Sequence, residues 1–165
     1  SRFEKIEYYY NTILNIRISK EELKKICNNF SKLVLGKILK CNFIPGAFEF
    51  ITNTNRYNFF ISSGTPETEL KYICAKRNIA PLFIDIMGSP KKKDQHVNQI
   101  MKKYNLKNKE IIFIGDAKTD YDVAINNKLN FIGINFKKNL DIDHRYILND
   151  FKKINNVIFD INNEK

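Results

Sequence analysis

The sequence predicts an α/β protein, a parallel sheet with crossover helices, preceded by a helical head. Three observations predict it. From about Asn58 onward, short apolar runs alternate with segments of helical period, the signature of βαβ units. One run, Ile111-Ile112-Phe113-Ile114, leads straight into Gly115-Asp116-Ala117-Lys118-Thr119-Asp120, which sets two carboxylates at the end of a buried strand, where open α/β sheets bind ligands. Ahead of Pro45-Gly46 the periodic stretches are all helical.

Phe3 to about Leu14 carries apolar and aromatic residues at near-helical spacing and reads as a first helix. Ser19-Lys20-Glu21-Glu22 is a Ser-x-x-Glu capping box, and Leu23, Ile26, Cys27, Phe30, Leu33 and Val34 follow it at the spacing of a long amphipathic helix. Pro45-Gly46 breaks that pattern, and a short helix is expected from Ala47 to Ile51. Strands are then expected at Asn58 to Ser62, Leu82 to Ile86, Ile111 to Ile114 and Phe131 to Ile134. Helices are expected between them at Pro66 to Arg77, Lys92 to Tyr104 and Thr119 to Lys128. A final helix and strand are expected within Arg145 to Phe159, with Val157-Ile158-Phe159 as a terminal strand of the sheet.

The 165 residues suit one domain, or one core with a small insertion, and 43% hydrophobic content suffices for a core. No apolar run is long enough to span a bilayer and no signal-peptide pattern opens the chain, so a cytosolic protein is the default expectation. Cys27, Cys41 and Cys74 are odd in number, widely spaced and without ligand spacing, which argues against disulfides and structural zinc. The net charge of +10 admits a polyanionic partner. However, the lysines come in short scattered groups without interleaved aromatics, which argues against nucleic acid. The same positive field would attract a small phosphorylated molecule.

Three strand ends carry the chemistry. Ser62-Ser63-Gly64-Thr65-Pro66 brings hydroxyls and backbone N–H groups to a helix start, which suits an anion; an N-cap by Thr65 is the plain alternative. Gly88-Ser89-Pro90-Lys91-Lys92-Lys93 delivers amines after the next strand. Asp116 and Asp120 supply hard oxygen ligands for a divalent cation, and a simple cap of the following helix is the alternative reading. A hydroxyl, a lysine and paired acids at successive strand ends describe a phosphate and Mg²⁺ site.

The order Ser-Gly-Thr-Pro, Gly-Ser-Pro-x-x-Lys, Gly-Asp-Ala-x-x-Asp resembles the haloacid dehalogenase (HAD) superfamily of aspartate-nucleophile phosphohydrolases over most of the chain. Receiver domains, which put their acids first and their lysine last, are excluded by this order. The resemblance implies a Rossmann-like core at residues 43–165 and a partial helical cap at 1–42, as in the phosphoglycolate phosphatase-like branch. It implies Mg²⁺ as cofactor and a small phosphorylated substrate. By position, Ser63 matches the hydroxyl that bonds a phosphoryl oxygen, with Ser62 as the alternative, and the N–H groups of Gly64 and Thr65 join it. Lys93 matches the charge-neutralising lysine, with Lys91 or Lys92 as alternatives. Asp116 matches the metal-binding acid, and Asp120 the second acid, which joins the metal or orients its waters.

The family's first motif, Asp-x-Asp-Gly-[Thr/Val], supplies the nucleophile and the general acid and belongs before the cap. No such motif occurs ahead of the helical head, so the chain as written is expected to lack the first strand of the core and to be inactive or nearly so. Phe159-Asp160-Ile161-Asn162-Asn163 imitates the motif, but Asn stands where the second Asp belongs and cannot act as a general acid. Two other readings share these residues: a non-catalytic HAD-like protein binding an anionic partner through its basic surface, and a related phosphomutase or phosphonate-cleaving enzyme. Tyr8, Tyr9 and Tyr10 read as packing or interface residues rather than cleft lining. Oligomeric state is left open.

Overall fold

In the computed structural model, which describes residues 2–164, the Ser19 hydroxyl accepts the Glu22 N–H (3.2 Å) while the Glu22 carboxylate accepts the Ser19 N–H (3.0 Å). This reciprocal box satisfies two N-terminal donors and launches the 21-residue helix Lys20–Lys40. The chain divides into two compact units, residues 1–42 with 58–92 and residues 43–57 with 93–165.

The first unit holds α1 (Arg2–Tyr8), which continues with π-helical spacing over Tyr9–Ile13, and α2 (Lys20–Lys40). It also holds β1 (Phe60–Pro66), α4 (Glu67–Lys76) and β2 (Asp85–Ser89), which make one βαβ unit with parallel strands. Leu70, Cys74 and Ile79 form its buried cluster, with Ile61, Leu82, Phe83 and Ile86 packed on it. Side chains at both ends of α4 reach α2. Arg2 of α1 forks onto Glu69 through two 2.9 Å bonds, Ser31 of α2 donates to the same carboxylate at 2.7 Å, and the Arg2 guanidinium lies 5.0 Å over the Phe30 ring. At the other end Arg77 donates to the carbonyls of Ile38 (2.6 Å) and Cys41 (2.8 Å), closing the C-terminus of α2.

The second unit holds α3 (Ala47–Thr52), α5 (Lys93–Tyr104), β3 (Ile112–Gly115), α6 (Lys118–Asn126), β4 (Asn130–Ile134), β5 (Ile147–Leu148) and α7 (Ile154–Asn163). β3, β4 and β5 form a parallel sheet in that order. Val97, Val123, Ala124, Leu129 and Phe131 form its core cluster. Gly46, at φ +80°, turns the chain into α3 at a point where an added Cβ would lie 2.9 Å from the Lys152 nitrogen and the Phe151 carbonyl carbon. Among the described residues β1 pairs only with β2, and β3 pairs on one side only, with β4.

Four expectations shift. The second strand runs Asp85–Ser89 because Pro81 lies in a 3-10 turn, Ala80–Leu82, that delays it. The first runs Phe60–Pro66, so Thr65 belongs to the strand and Pro66 occupies the N-cap position of α4 with no side-chain cap bond. No helix precedes β5 in the last segment; the order is strand, then helix. Val157-Ile158-Phe159 lies in α7 rather than in a terminal strand, because Ile154, Ile158 and Ile161 are buried at i, i+4 and i+7, a helical stripe that outweighs the short apolar run. Asp160 is exposed and belongs to that helix rather than to a strand. Phe159 is 67% exposed, so Phe159→Ala is expected to change stability by less than about 0.5 kcal/mol. A loss of about 3 kcal/mol in chemical denaturation, the size for an inward-facing Phe, would contradict the helix.

Candidate functional site

The bulge in β1 shapes the first candidate group. Ser62 pairs with Met87 and Pro66 with Ser89, so Ser63, Gly64 and Thr65 together face Gly88 alone and are pushed out of the ladder. Bulges of this kind re-aim side chains and backbone beside functional sites. Within the bulge the Thr65 N–H donates to Ser63 Oγ at 3.1 Å, a local turn that holds the hydroxyl. Ser63, Gly64 and Thr65 are all partly buried. Gly88 is a glycine because an added Cβ would lie 2.5 Å from both Thr65 O and Glu67 Cα. In the sequence Gly88 marks only the start of the Gly-Ser-Pro-x-x-Lys motif and Glu67 carries no signal, since nothing in the local spacing shows that the end of one strand presses on the start of the next helix.

The second group lies in the other unit, at the carboxyl end of β3. Gly115 ends the strand, exposed Asp116 follows it, Ala117 is the N-cap residue of α6 and Asp120 sits in that helix's first turn. Asp120 is 4% exposed. One of its oxygens accepts the Ala117 N–H at 3.2 Å, and the other is ion-paired with Lys93 Nζ at the start of α5. A buried carboxylate needs such partners, because desolvation without them would cost several kcal/mol. Ala117 has no side-chain acceptor, so only the return half of a capping box is made. The cap reading therefore holds for Asp120 in part, alongside its pairing with Lys93. Lys91 and Lys92 are exposed in the preceding loop.

Gly115 is required by close approach. An added Cβ would fall onto the Asp120 side chain, 2.5 Å from its Cγ and 2.7 Å from Oδ2. The strand end, the acid and the amine are thus one packed assembly, with Asp116 at its exposed edge. Among the described residues no three His, Cys, Asp or Glu side chains stand together as a ready-made metal cage. Mg²⁺ takes one or two carboxylates and completes its shell with water and phosphate oxygens. The donor chemistry of Asp116 and Asp120 fits that ion. Asp120 is already held by an amine and an amide, so Asp116 is the carboxylate best suited to direct ligation.

Among the described residues no helix is long and apolar enough to cross a membrane. Residues 5–134 match the family model for haloacid dehalogenase-like hydrolase. No curated protein sequence matches the chain. Among solved structures, β-phosphoglucomutase from Clostridium difficile is similar at TM-score 0.78 and 17% identity, covering 99% of this chain and 78% of that one. A protein from Haemophilus somnus described as a predicted phosphoglycolate phosphatase is similar at TM-score 0.72 and 18% identity, covering 94% and 75%. A HAD-hydrolase from Bacillus subtilis, determined bound to magnesium, is similar at TM-score 0.73 and 15% identity, covering 96% and 73%. At these identities the likeness shows the fold.

Proposed function

Because the chain belongs to the haloacid dehalogenase-like hydrolase family, we propose that its residues serve a Mg²⁺-dependent phosphatase acting on a small phosphorylated metabolite through an aspartyl-phosphate. The carrying observation is the assembly at the end of β3, in which buried Asp120 is locked by Lys93 and the Ala117 N–H beside exposed Asp116. An arrangement that spends an amine and an amide on one carboxylate, and leaves its neighbour in solvent, suits a fixed charge pattern around a bound anion and cation. The phosphatase and phosphoglucomutase descriptions of its structural relatives support the same substrate class.

In this reading Mg²⁺, when bound, withdraws charge from the phosphoryl oxygens and from the attacking carboxylate. Asp116 would hold it, and Asp120 keeps Lys93 oriented. Lys93 neutralises charge on the nucleophile and the transferring group. The Ser63 hydroxyl and the N–H groups of Gly64 and Thr65 bond phosphoryl oxygens. In this family the nucleophile and the general acid are the two carboxylates of an Asp-x-Asp-Gly-[Thr/Val] motif. The first attacks phosphorus as the ester P–O bond breaks, and the leaving oxygen takes the proton of the second.

The test uses the full-length gene product with Mg²⁺ and beryllium fluoride, a mimic of the bound phosphoryl group. Calorimetry is expected to show binding of the pair, with Asp116→Ala weakening it about tenfold or more. If the pair does not bind, or Asp116→Ala binds it as tightly as the parent, the proposed function is wrong.

A further inference from the structure

We infer that Glu67 is a positioning residue, whose carboxylate clamps the end of β2 against the Ser63–Gly64–Thr65 bulge and so sets the shape of the loop. The inference rests on the reading of that loop as the phosphate site. Glu67 Oε2 accepts the Gly88 N–H at 3.3 Å, and Oε1 takes Lys71 Nζ at 2.6 Å one helical turn on. Gly88 is the residue that faces the bulge, and the ladder closes again at Pro66 opposite Ser89. An added Cβ on Gly88 would lie 2.7 Å from the Glu67 nitrogen, so the two backbones are already in contact before the side chain returns. The bulge is therefore held in three ways: by Ser62 with Met87 before it, by Pro66 with Ser89 after it, and by Glu67 with Gly88 across it.

Charge alone argues against an acid here. A carboxylate two residues from Thr65 repels an anion on that loop, so removing it should tighten phosphate binding if charge is its only influence. A clamp predicts the opposite sign for any variant that loses the bond. This sign separates positioning from background electrostatics.

Inorganic phosphate titrated into the full-length gene product, followed by amide NMR, tests the clamp. The Gly64 and Thr65 amides should respond in the parent. Glu67→Gln keeps an acceptor oxygen without the charge, and should bind phosphate at least as tightly. Glu67→Ala removes the same charge and the bond, and should bind about fivefold more weakly, the equivalent of one hydrogen bond. Glu67→Asp, too short to reach Gly88, should weaken binding likewise and serves if the alanine variant does not fold. Gly88 amide exchange should quicken in the Ala and Asp variants and hold in the Gln variant. Equal or tighter binding by Glu67→Ala, or a lowered melting temperature with unchanged affinity, overturns the clamp. If the parent's Gly64 and Thr65 amides ignore phosphate, the phosphate reading of the loop fails; Gly88 exchange then decides the clamp, and unaltered exchange in Glu67→Ala overturns it.

Discussion

Gly115→Ala is expected to destabilise the second unit by about 3 to 5 kcal/mol and to dismantle the acid–amine assembly. The added methyl would overlap the Asp120 side chain near its root, with Cγ at 2.5 Å and Oδ2 at 2.7 Å. A rotamer change cannot relieve overlap so close to Cα, so the first turn of α6 must shift. Shifting it pulls Asp120 from Lys93 and from the Ala117 N–H. Overpacking costs about 1–3 kcal/mol, and separating a buried charged pair adds a comparable loss. The discriminating measurement is a double-mutant cycle by chemical denaturation. In an Asp120→Gly background no Cβ remains to collide, and Gly115→Ala should then add less than about 1 kcal/mol. Equal costs in both backgrounds would show that the glycine is needed for another reason. In the full-length protein Gly115→Ala should also remove the binding of Mg²⁺ with beryllium fluoride.

Arg2→Ala is expected to cost about 3 kcal/mol in the first unit, the size for removing one partner of a nearly buried ion pair. The side chains of Arg2 and Glu69 are only 11% and 13% exposed. Their bonds are bidentate, and Ser31 shares the carboxylate. Glu69→Ala should cost a similar amount, and the double variant less than the sum. With no tryptophan in the chain, far-ultraviolet circular dichroism is a suitable probe of unfolding. A loss below about 1 kcal/mol would put the pair among ordinary surface bridges.

The same pair predicts a pH dependence. Hydrogen bonding from Arg2 holds the Glu69 carboxyl below its ordinary value of 4.5; burial opposes this, and the Ser31 bond adds to it. A depressed carboxyl pKa means that the unfolded chain binds the proton more readily, so the stabilisation is fully present above about pH 5 and fades as pH falls through the lowered value. Glu69→Gln should flatten this part of the acid limb of the stability curve, and an unchanged limb would exclude the linkage.

The local elements were legible because their causes are local. Ser19 with Glu22, Pro45-Gly46 and the apolar run ending at Gly115 each impose backbone conformation over a few residues. Parallel βαβ order followed from the same signals. Val157-Ile158-Phe159 reads as a strand from sequence because so short an apolar run suits either state, and only burial of Ile154 and Ile161 on the same side decides for the helix.

The family, the parallel α/β order, the capping box and the strand ends at which acids, amines and hydroxyls stand all follow from short-range patterns in the chain. The pairing of Lys93 with Asp120, the bulge of Ser63–Thr65 against Gly88 and the fork of Arg2 onto Glu69 emerge only in the folded chain. Propensity and period act between neighbours, whereas these partners are separated by long stretches of chain. They meet through packing that no short window of sequence contains.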